Sequence, residues 1–454
     1  MPPASSLRWR LLSGGAWALG GKIITALTGL ATYALLSRLL APPEMGFYWL
    51  AYSLVLFGGT VGTLGLNNAV VRLIAERVGL NAPGKARRLV NIVFGLGLLG
   101  ALGMGGAYLL AGDVIATKIL ESPQHTAANA LIAGWIVVTV LQQLVAETFR
   151  GFQEIRLATI FGGLISGLIL LGSLGAVWLT GTTTLATVLS FTVISIAASA
   201  AIGSFMLFNK VSALPGIGSA AEDNGIGEIL SIAWPLLIAN LTHFAVTQAD
   251  VWILGAFRAQ EELAIYGAAA RLMTIIVMPL MLLNAVVPPI IAELHVQGKK
   301  ETLETTLRST AAVAGFPALI VLLAFIFFGK PILALIYGEF YARGAVVLAI
   351  LSLGQLVNVW AGSCGITLMM TGNQTIRMGL AVASALLAIG GGIWAVQSHG
   401  MVGVAIASAF TMICQNVAMV LFVKNKVGVW THASLAGVSW QKIVYQTRLG
   451  FKRE

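Results

Sequence analysis

The sequence predicts an all-α polytopic membrane protein, with twelve transmembrane helices arranged as two pseudo-symmetric six-helix halves around a central cavity. Three observations predict it. Charged residues make up 10% of the 454 and hydrophobic ones 58%, where a soluble domain carries about 25% charged residues. Apolar runs of about 20 residues, the length that crosses a hydrocarbon core of about 30 Å, recur along the whole chain. The phrase "LNNAVVRLIAE" (66–76) returns as "LNAVVPPIIAE" (283–293), identical at six of eleven positions and displaced by 217 residues.

The apolar runs fall at 13–38, 45–75, 89–111, 126–149, 156–180 and 184–208 in the first half. In the second half they fall at 228–256, 262–292, 305–328, 343–371, 376–397 and 401–423. The polar breaks between them place one half at 1–209, a cytoplasmic linker at 210–227, the second half at 228–425 and a basic amphipathic tail at 426–454. The N-terminus is basic, but no small-residue cleavage site follows it and the first apolar run is long enough to span, so it reads as a retained helix. Lys and Arg number 19 on one side of this layout and 5 on the other, which puts both termini in the cytoplasm by the positive-inside rule. The net charge of +10 then belongs to basic cytoplasmic loops, and no nucleic-acid partner is implied. The tail mixes Trp430, Trp440, Ile443, Val444 and Phe451 with Lys442, Arg448, Lys452 and Arg453, a composition suited either to an anionic leaflet or to a loose basic extension.

A second pair of phrases supports duplication. "RGFQEIR" (150–156) and "TGNQTIR" (371–377) share Gly, Gln, Ile and Arg at an offset of 221. Because six helices form each unit, both copies enter the membrane with one polarity, and the halves are expected to be related by an axis along the membrane normal. Two such halves facing a common cleft suit alternating access.

An ionisable residue in the bilayer costs about 2.5–3.5 kcal/mol on insertion scales and is a functional candidate by default. Lys22, Thr25, Gly29 and Thr32 share one face of the first helix by their spacing. Asn240, His243, Thr247 and Asp250 repeat those spacings on the seventh, displaced by 218. Thr25, Thr32, Asn240 and Thr247 are expected to line the cavity, and Asp250 with His243 to bind the coupling ion, a proton or sodium. Arg271 lies well inside the eighth span, where Asp250 is a candidate ion-pair partner. Asn67 and Asn284 read as interhelical hydrogen-bonders, Glu147 as a partner of Arg150, and Pro288 and Pro289 as a kink that sets the eighth helix apart from the second. Cys364 and Cys414 both fall in apolar segments, which argues against a disulfide or a metal cluster. With no phosphate-binding glycine loop and no catalytic constellation, the sequence points away from an enzyme and calls for no cofactor.

The entry to the first helix, "SGGAWALGGKIITALTGLATYALLSRLLAPPEMGFY", the "RGFQEIRLATI" junction and the two-times-six pattern over residues 10–425 resemble the polysaccharide-transport, Wzx-type flippases. These form a branch of the multidrug/oligosaccharidyl-lipid/polysaccharide (MOP) exporter superfamily, which also holds the MATE drug exporters and the lipid II flippases. The resemblance implies transfer of undecaprenyl-pyrophosphate-linked oligosaccharides across the bacterial inner membrane for a surface polysaccharide such as O-antigen, lipopolysaccharide or exopolysaccharide. It implies a monomer working among membrane lipids beside glycosyltransferases and a polymerase. On that reading Lys22 and Arg271 receive the pyrophosphate. A MATE-type cation antiporter and a lipid II flippase are the competing expectations; the cationic Lys22 favours an anionic cargo over the former, and twelve spans rather than fourteen count against the latter.

Overall fold

The computed structural model describes residues 4–80, 82–114, 128–181, 183–214 and 225–434. Most of the linker (215–224) and the tail beyond Ser434 lie outside the described residues. The chain is helical, with no strand among the described residues. Its helices are α1 (Ala4–Leu39), α2 (Pro42–Gly62), α3 (Leu66–Gly79), α4 (Pro83–Val114), α5 (Asn129–Gly151), α6 (Ile155–Thr159), α7 (Ile165–Thr180), α8 (Leu185–Ser212), α9 (Ile226–Phe257), α10 (Gln260–Leu283), α11 (Val287–Val296), α12 (Lys300–Tyr337), α13 (Ala345–Ala361), α14 (Cys364–Met370) and α15 (Gln374–Val427). Among the described residues, ten helical segments are long and apolar enough to cross a membrane. This is a multi-pass membrane protein. One of the ten, α15, runs 54 residues and breaks at Gly400, so it accommodates the eleventh and twelfth predicted spans. With α1 as the first span, the twelve read from the sequence fit.

The chain divides into two compact units, Met1–Phe244 and Ala245–Glu454, and the division falls inside α9. In the first unit, α2 opens on Pro42 and Pro43 while Glu44 reaches back to accept from the Ala41 amide at 3.0 Å. Proline suits that position because its missing N–H is one the first turn leaves unpaired anyway. The predicted second span is not continuous: α2 stops at Gly62, and Leu64 and Gly65 take left-handed φ of 52° and 76° before α3 begins. A Cβ at Gly65 would lie 2.1 Å from the carbonyl oxygen of Ala233 on α9, so a side chain is excluded by φ and by space at once. The buried core of this unit runs through Leu66, Val70 and Ile74 of α3, Leu144 and Phe149 of α5, and Ile229 and Ala233 of α9.

In the second unit the eighth span is broken as well, and here the structure corrects the proline expectation. The interruption is the turn Asn284–Val286, whereas Pro288 and Pro289 fall in the opening turn of α11. The helix therefore ends before the prolines and restarts on them. The first unit breaks at the corresponding place with no proline at all, so the break is common to both units rather than a mark of the eighth helix.

The predicted tenth span also divides, at Gly362 and Ser363 between α13 and α14. The carbonyls this break frees are met by the chain beyond α15. The Thr431 hydroxyl donates to Ala361 O at 2.9 Å, and the Ala433 amide donates to Trp360 O at 2.8 Å. The break at Gly400, where φ is 54°, is held in the same manner: Arg258 donates to Val396 O at 2.7 Å, and Glu262 accepts from the Met401 amide at 3.2 Å. Backbone groups released by a break and shielded from water must find partners within the protein. Two charged side chains at the α9–α10 junction supply them.

Candidate functional site

In the first unit, Lys22 is exposed on α1, Thr25 is half-buried and Thr32 is buried, its hydroxyl turned back onto Thr28 O at 2.8 Å. Thr25 and Thr28 face the fifth span, where a π-helical turn, Ile160–Leu164, carries Gly163 at φ 135°. Behind the bulge a buried polar knot joins three helices: the Gln142 amide donates to Ser166 Oγ at 2.9 Å and Ser199 Oγ at 3.1 Å, and Ser166 donates to Gly163 O. A π-bulge inserts one residue into the ladder and often marks a functional bend.

Asn240 of α9 bonds two asparagines of α3. Asn68 Nδ2 donates to Asn240 Oδ1 at 3.2 Å, and Asn240 Nδ2 donates to Asn67 Oδ1 at 3.4 Å. In the second unit Asn284 accepts from Ser363 Oγ at 2.6 Å, so both repeated asparagines make interhelical bonds beside their helix breaks. His243 and Thr247 are exposed on α9, the first in unit one and the second in unit two. Glu147 and Arg150 form the expected ion pair at 2.6 Å.

Asp250 accepts two hydrogen bonds. Its Oδ2 accepts from the Tyr266 hydroxyl of α10 at 2.7 Å and its Oδ1 accepts from the Val251 amide at 2.8 Å. Tyr266 is fully buried, with Ser408 of α15 near its phenol oxygen. Arg271, half-buried on α10, acts electrostatically on Asp250 and also on Tyr337 at the end of α12. Tyr337 and Tyr341, rings 5.9 Å apart, are 1% and 2% exposed.

The sequence singled out Asp250 and Arg271 and missed Tyr266, Ser408 and Tyr337. One signal was present. At the same offset of 218, Thr32 corresponds to Asp250, Tyr48 to Tyr266 and Ser53 to Arg271. The N-cap alanines that precede the tyrosines, Ala41 and Ala259, share φ near −62° and ψ 151°. The two copies thus share a tyrosine but carry Asp and Arg only in the second. Among the described residues, no cluster of three or more His, Cys, Asp or Glu is placed to hold a metal ion.

Residues 11–295, well over half the chain, match the sequence profile of the polysaccharide biosynthesis proteins. The chain belongs to that family. Residues 235–394 also match the MatE family. Among solved structures, an inward-facing multidrug-resistance MATE transporter of the MOP superfamily aligns with TM-score 0.74 at 16% identity, covering 89% of this chain and 94% of that one. The lipid II flippase MurJ, in an inward closed conformation, aligns at 0.68 and 14%, covering 94% and 92%. A MOP transporter from Pyrococcus furiosus, described by a binding pocket of reversed polarity, aligns at 0.63 and 14%, covering 92% and 95%. No curated protein matches. These likenesses establish the fold: this polysaccharide biosynthesis protein has the architecture of the MOP exporters, whose aligned members are transporters and flippases.

Proposed function

We propose that the chain is a flippase that moves undecaprenyl-pyrophosphate-linked oligosaccharides from the inner to the outer leaflet of the bacterial cytoplasmic membrane, by alternating access coupled to a proton or sodium gradient. The observation that carries this reading is the polysaccharide-biosynthesis match over residues 11–295. The physical task fits a transporter of this fold. Each unsatisfied polar group of a pyrophosphate and its sugars costs several kcal/mol in hydrocarbon, while the isoprenoid tail remains in lipid. Lys22, exposed on α1, and Arg271, half-buried on α10, supply cations from the two units. A guanidinium offers planar, paired donors to a phosphate and stays charged under partial burial. Asp250 with its Tyr266 donor is the ion-binding group, with His243 as a second titratable group on α9. Thr25, Asn240 and Thr247 contribute polar surface along the path.

The MatE match over residues 235–394 favours a second reading, a MATE-type antiporter of organic cations that uses Asp250 as its carboxylate. Proteoliposomes separate the two. Inward transfer of a fluorescent farnesyl-diphospho-N-acetylglucosamine, with no transfer of ethidium, is expected of the flippase; the reverse pattern supports the antiporter and overturns the proposal.

A further inference from the structure

We propose that Asn67, Asn68 and Asn240, together with Phe57 and Phe244, form a sugar-recognition surface in the first unit. The amides hydrogen-bond ring hydroxyls, and the aromatic rings take the apolar face of a pyranose. This deepens the flippase reading and rests on it, since it gives the carbohydrate of the lipid-linked cargo a place on the chain.

The polar part comes from two helices. Asn67 and Asn68 lie in the first turn of α3, just past the turn that ends α2, and Asn240 meets them from α9. Asn68 Nδ2 donates to Asn240 Oδ1 at 3.2 Å, and Asn240 Nδ2 donates to Asn67 Oδ1 at 3.4 Å. Asn67 Oδ1 also accepts from the Asn68 backbone amide at 2.9 Å. A side-chain amide carries two N–H donors and an oxygen that accepts twice. Among the described residues, these bonds leave the Asn67 Nδ2 donors and the Asn68 Oδ1 acceptor for an outside partner. Asn68 is exposed, and Asn67 and Asn240 are half-buried, so the cluster is open to a ligand. A hydroxyl both donates and accepts, which is the pairing the remaining groups offer. The second copy of the repeated phrase has a single asparagine, Asn284, with Ala285 where Asn68 stands, and Asn284 is met within its own unit by Ser363 at 2.6 Å. The open amides belong to the first copy.

The apolar part stands one helical turn along α9. Phe244 follows Asn240 by four residues, which puts both on one face. Its ring centroid lies 5.4 Å from that of Phe57 on α2. The two rings are inclined at 54° rather than stacked, and both residues are half-buried. A pyranose carries hydroxyls around its edge and C–H groups on its faces, so adjoining amides and aromatic rings suit it. The five side chains carry no charge, which is poor provision for a diphosphate or a metal ion. Small ligands are generally held in this way, by apolar and aromatic walls with a few placed polar groups.

The test is binding to the purified full chain in nanodiscs. The probes are farnesyl-diphospho sugars carrying glucose, galactose, N-acetylglucosamine or N-acetylgalactosamine. The control is the methyl ester of farnesyl diphosphate, which keeps the lipid and the diester charge without a sugar. At least one sugar probe is expected to bind more tightly than the methyl ester. Asn68→Ala is expected to reduce that preference by roughly two- to tenfold, the fold-change of one net hydrogen bond, with methyl-ester binding unchanged. Phe244→Leu leaves every amide in place and is expected to reduce the preference as well, while Phe244→Trp retains it. Phe244→Leu carries the test if Asn68→Ala does not fold. A purely structural role for the asparagines would lower the melting temperature of Asn68→Ala and change its affinity for sugar probes and methyl ester alike, which overturns the proposal. If wild type binds sugar probes and methyl ester equally, or if both variants keep the wild-type preference, the sugar surface is wrong while the flippase reading stands. If wild type binds none of the probes, that reading fails with it.

Discussion

Gly65 shows how much one residue can hold in place. It ends the turn between α2 and α3 at φ 76°, and any Cβ there meets Ala233 O of α9 at 2.1 Å. Left-handed strain alone costs about 1–3 kcal/mol for a residue with a side chain, and the obstacle is backbone, which has little room to yield. Gly65→Ala is expected to lower the melting temperature of the purified protein clearly, whereas Ala at Gly79, where nothing lies within 4 Å, is expected to leave it nearly unchanged. Equal melting for the two would refute the close-contact argument. A second residue-scale prediction concerns His432, which lies beyond the last span, 5.0 Å from the Trp360 ring and 5.1 Å from Trp430. Burial, and then the nearby Arg308 charge, lower its proton affinity below that of an ordinary histidine, with Glu304 opposing. The folded state then binds fewer protons than the unfolded one, so this stability is complete above the ordinary histidine value of about 6.5 and is lost as pH falls below it. Melting temperatures of wild type and His432→Phe are expected to diverge between pH 7.5 and 5.5, wild type falling faster. Parallel curves would overturn the assignment.

At the scale of elements, the instructive feature is that spans are interrupted and then repaired. The α13–α14 break frees the carbonyls of Trp360 and Ala361, and the segment after α15 returns to bind both. Glu304 fastens the same segment by accepting from the Trp430 amide at 3.1 Å, and Lys424 sits 5.2 Å from the Trp430 ring. Leaving one buried carbonyl unpaired costs about 1–3 kcal/mol. Thr431→Val removes the hydroxyl at nearly constant shape, so it is expected to destabilise by about that amount, while Thr431→Ser retains the bond; thermal unfolding in detergent measures both. A Val variant as stable as wild type would mean that water or lipid headgroups reach this backbone freely. The breaks also explain the repeated phrases. The turn Thr63–Gly65 recurs at Asn284–Val286 with an offset of 221, although the matching letters are 217 apart. The turn after α5 recurs after α14 with an offset of 219, Gln153 and Gly372 both taking positive φ, although those letters match at 221. The turns recur in both copies while the residues that build them slide by a few positions.

For the whole molecule, the expected topology has both termini and the linker in the cytoplasm. With Cys364 and Cys414 replaced by Ala, single cysteines at Ser219 and Thr447 are expected to resist a membrane-impermeant maleimide in intact cells, and one at Thr182 to react. Labelling at Thr447 from outside would reverse the orientation. The function belongs to this scale too, because flipping a headgroup needs alternation of the whole transporter. An element such as the π-turn at Ile160–Leu164, packed on α1 near Thr25, is a place where a span bends without breaking its partners.

The sequence alone determined the class of this protein, its approximate spans, its internal duplication and the residues whose charge in the membrane demands an account. These follow from terms that are additive along the chain: apolar length, Lys and Arg distribution, and the cost of burying a charge. The breaks in the second and tenth spans lay beyond it, and the prolines marked the eighth only to within a few residues, since a turn inside an apolar run carries no polar signal when its freed carbonyls are met by distant groups such as Thr431. The partnership of Asp250 with Tyr266, Ser408 and Arg271 was decided only by tertiary structure. Spacing places a side chain on a helix face, but which neighbouring helix that face meets, and at what height, depends on the packing of α9, α10, α12 and α15. Thr32 illustrates the same limit: its spacing puts it in line with Lys22, yet Thr32 is buried while Lys22 is exposed.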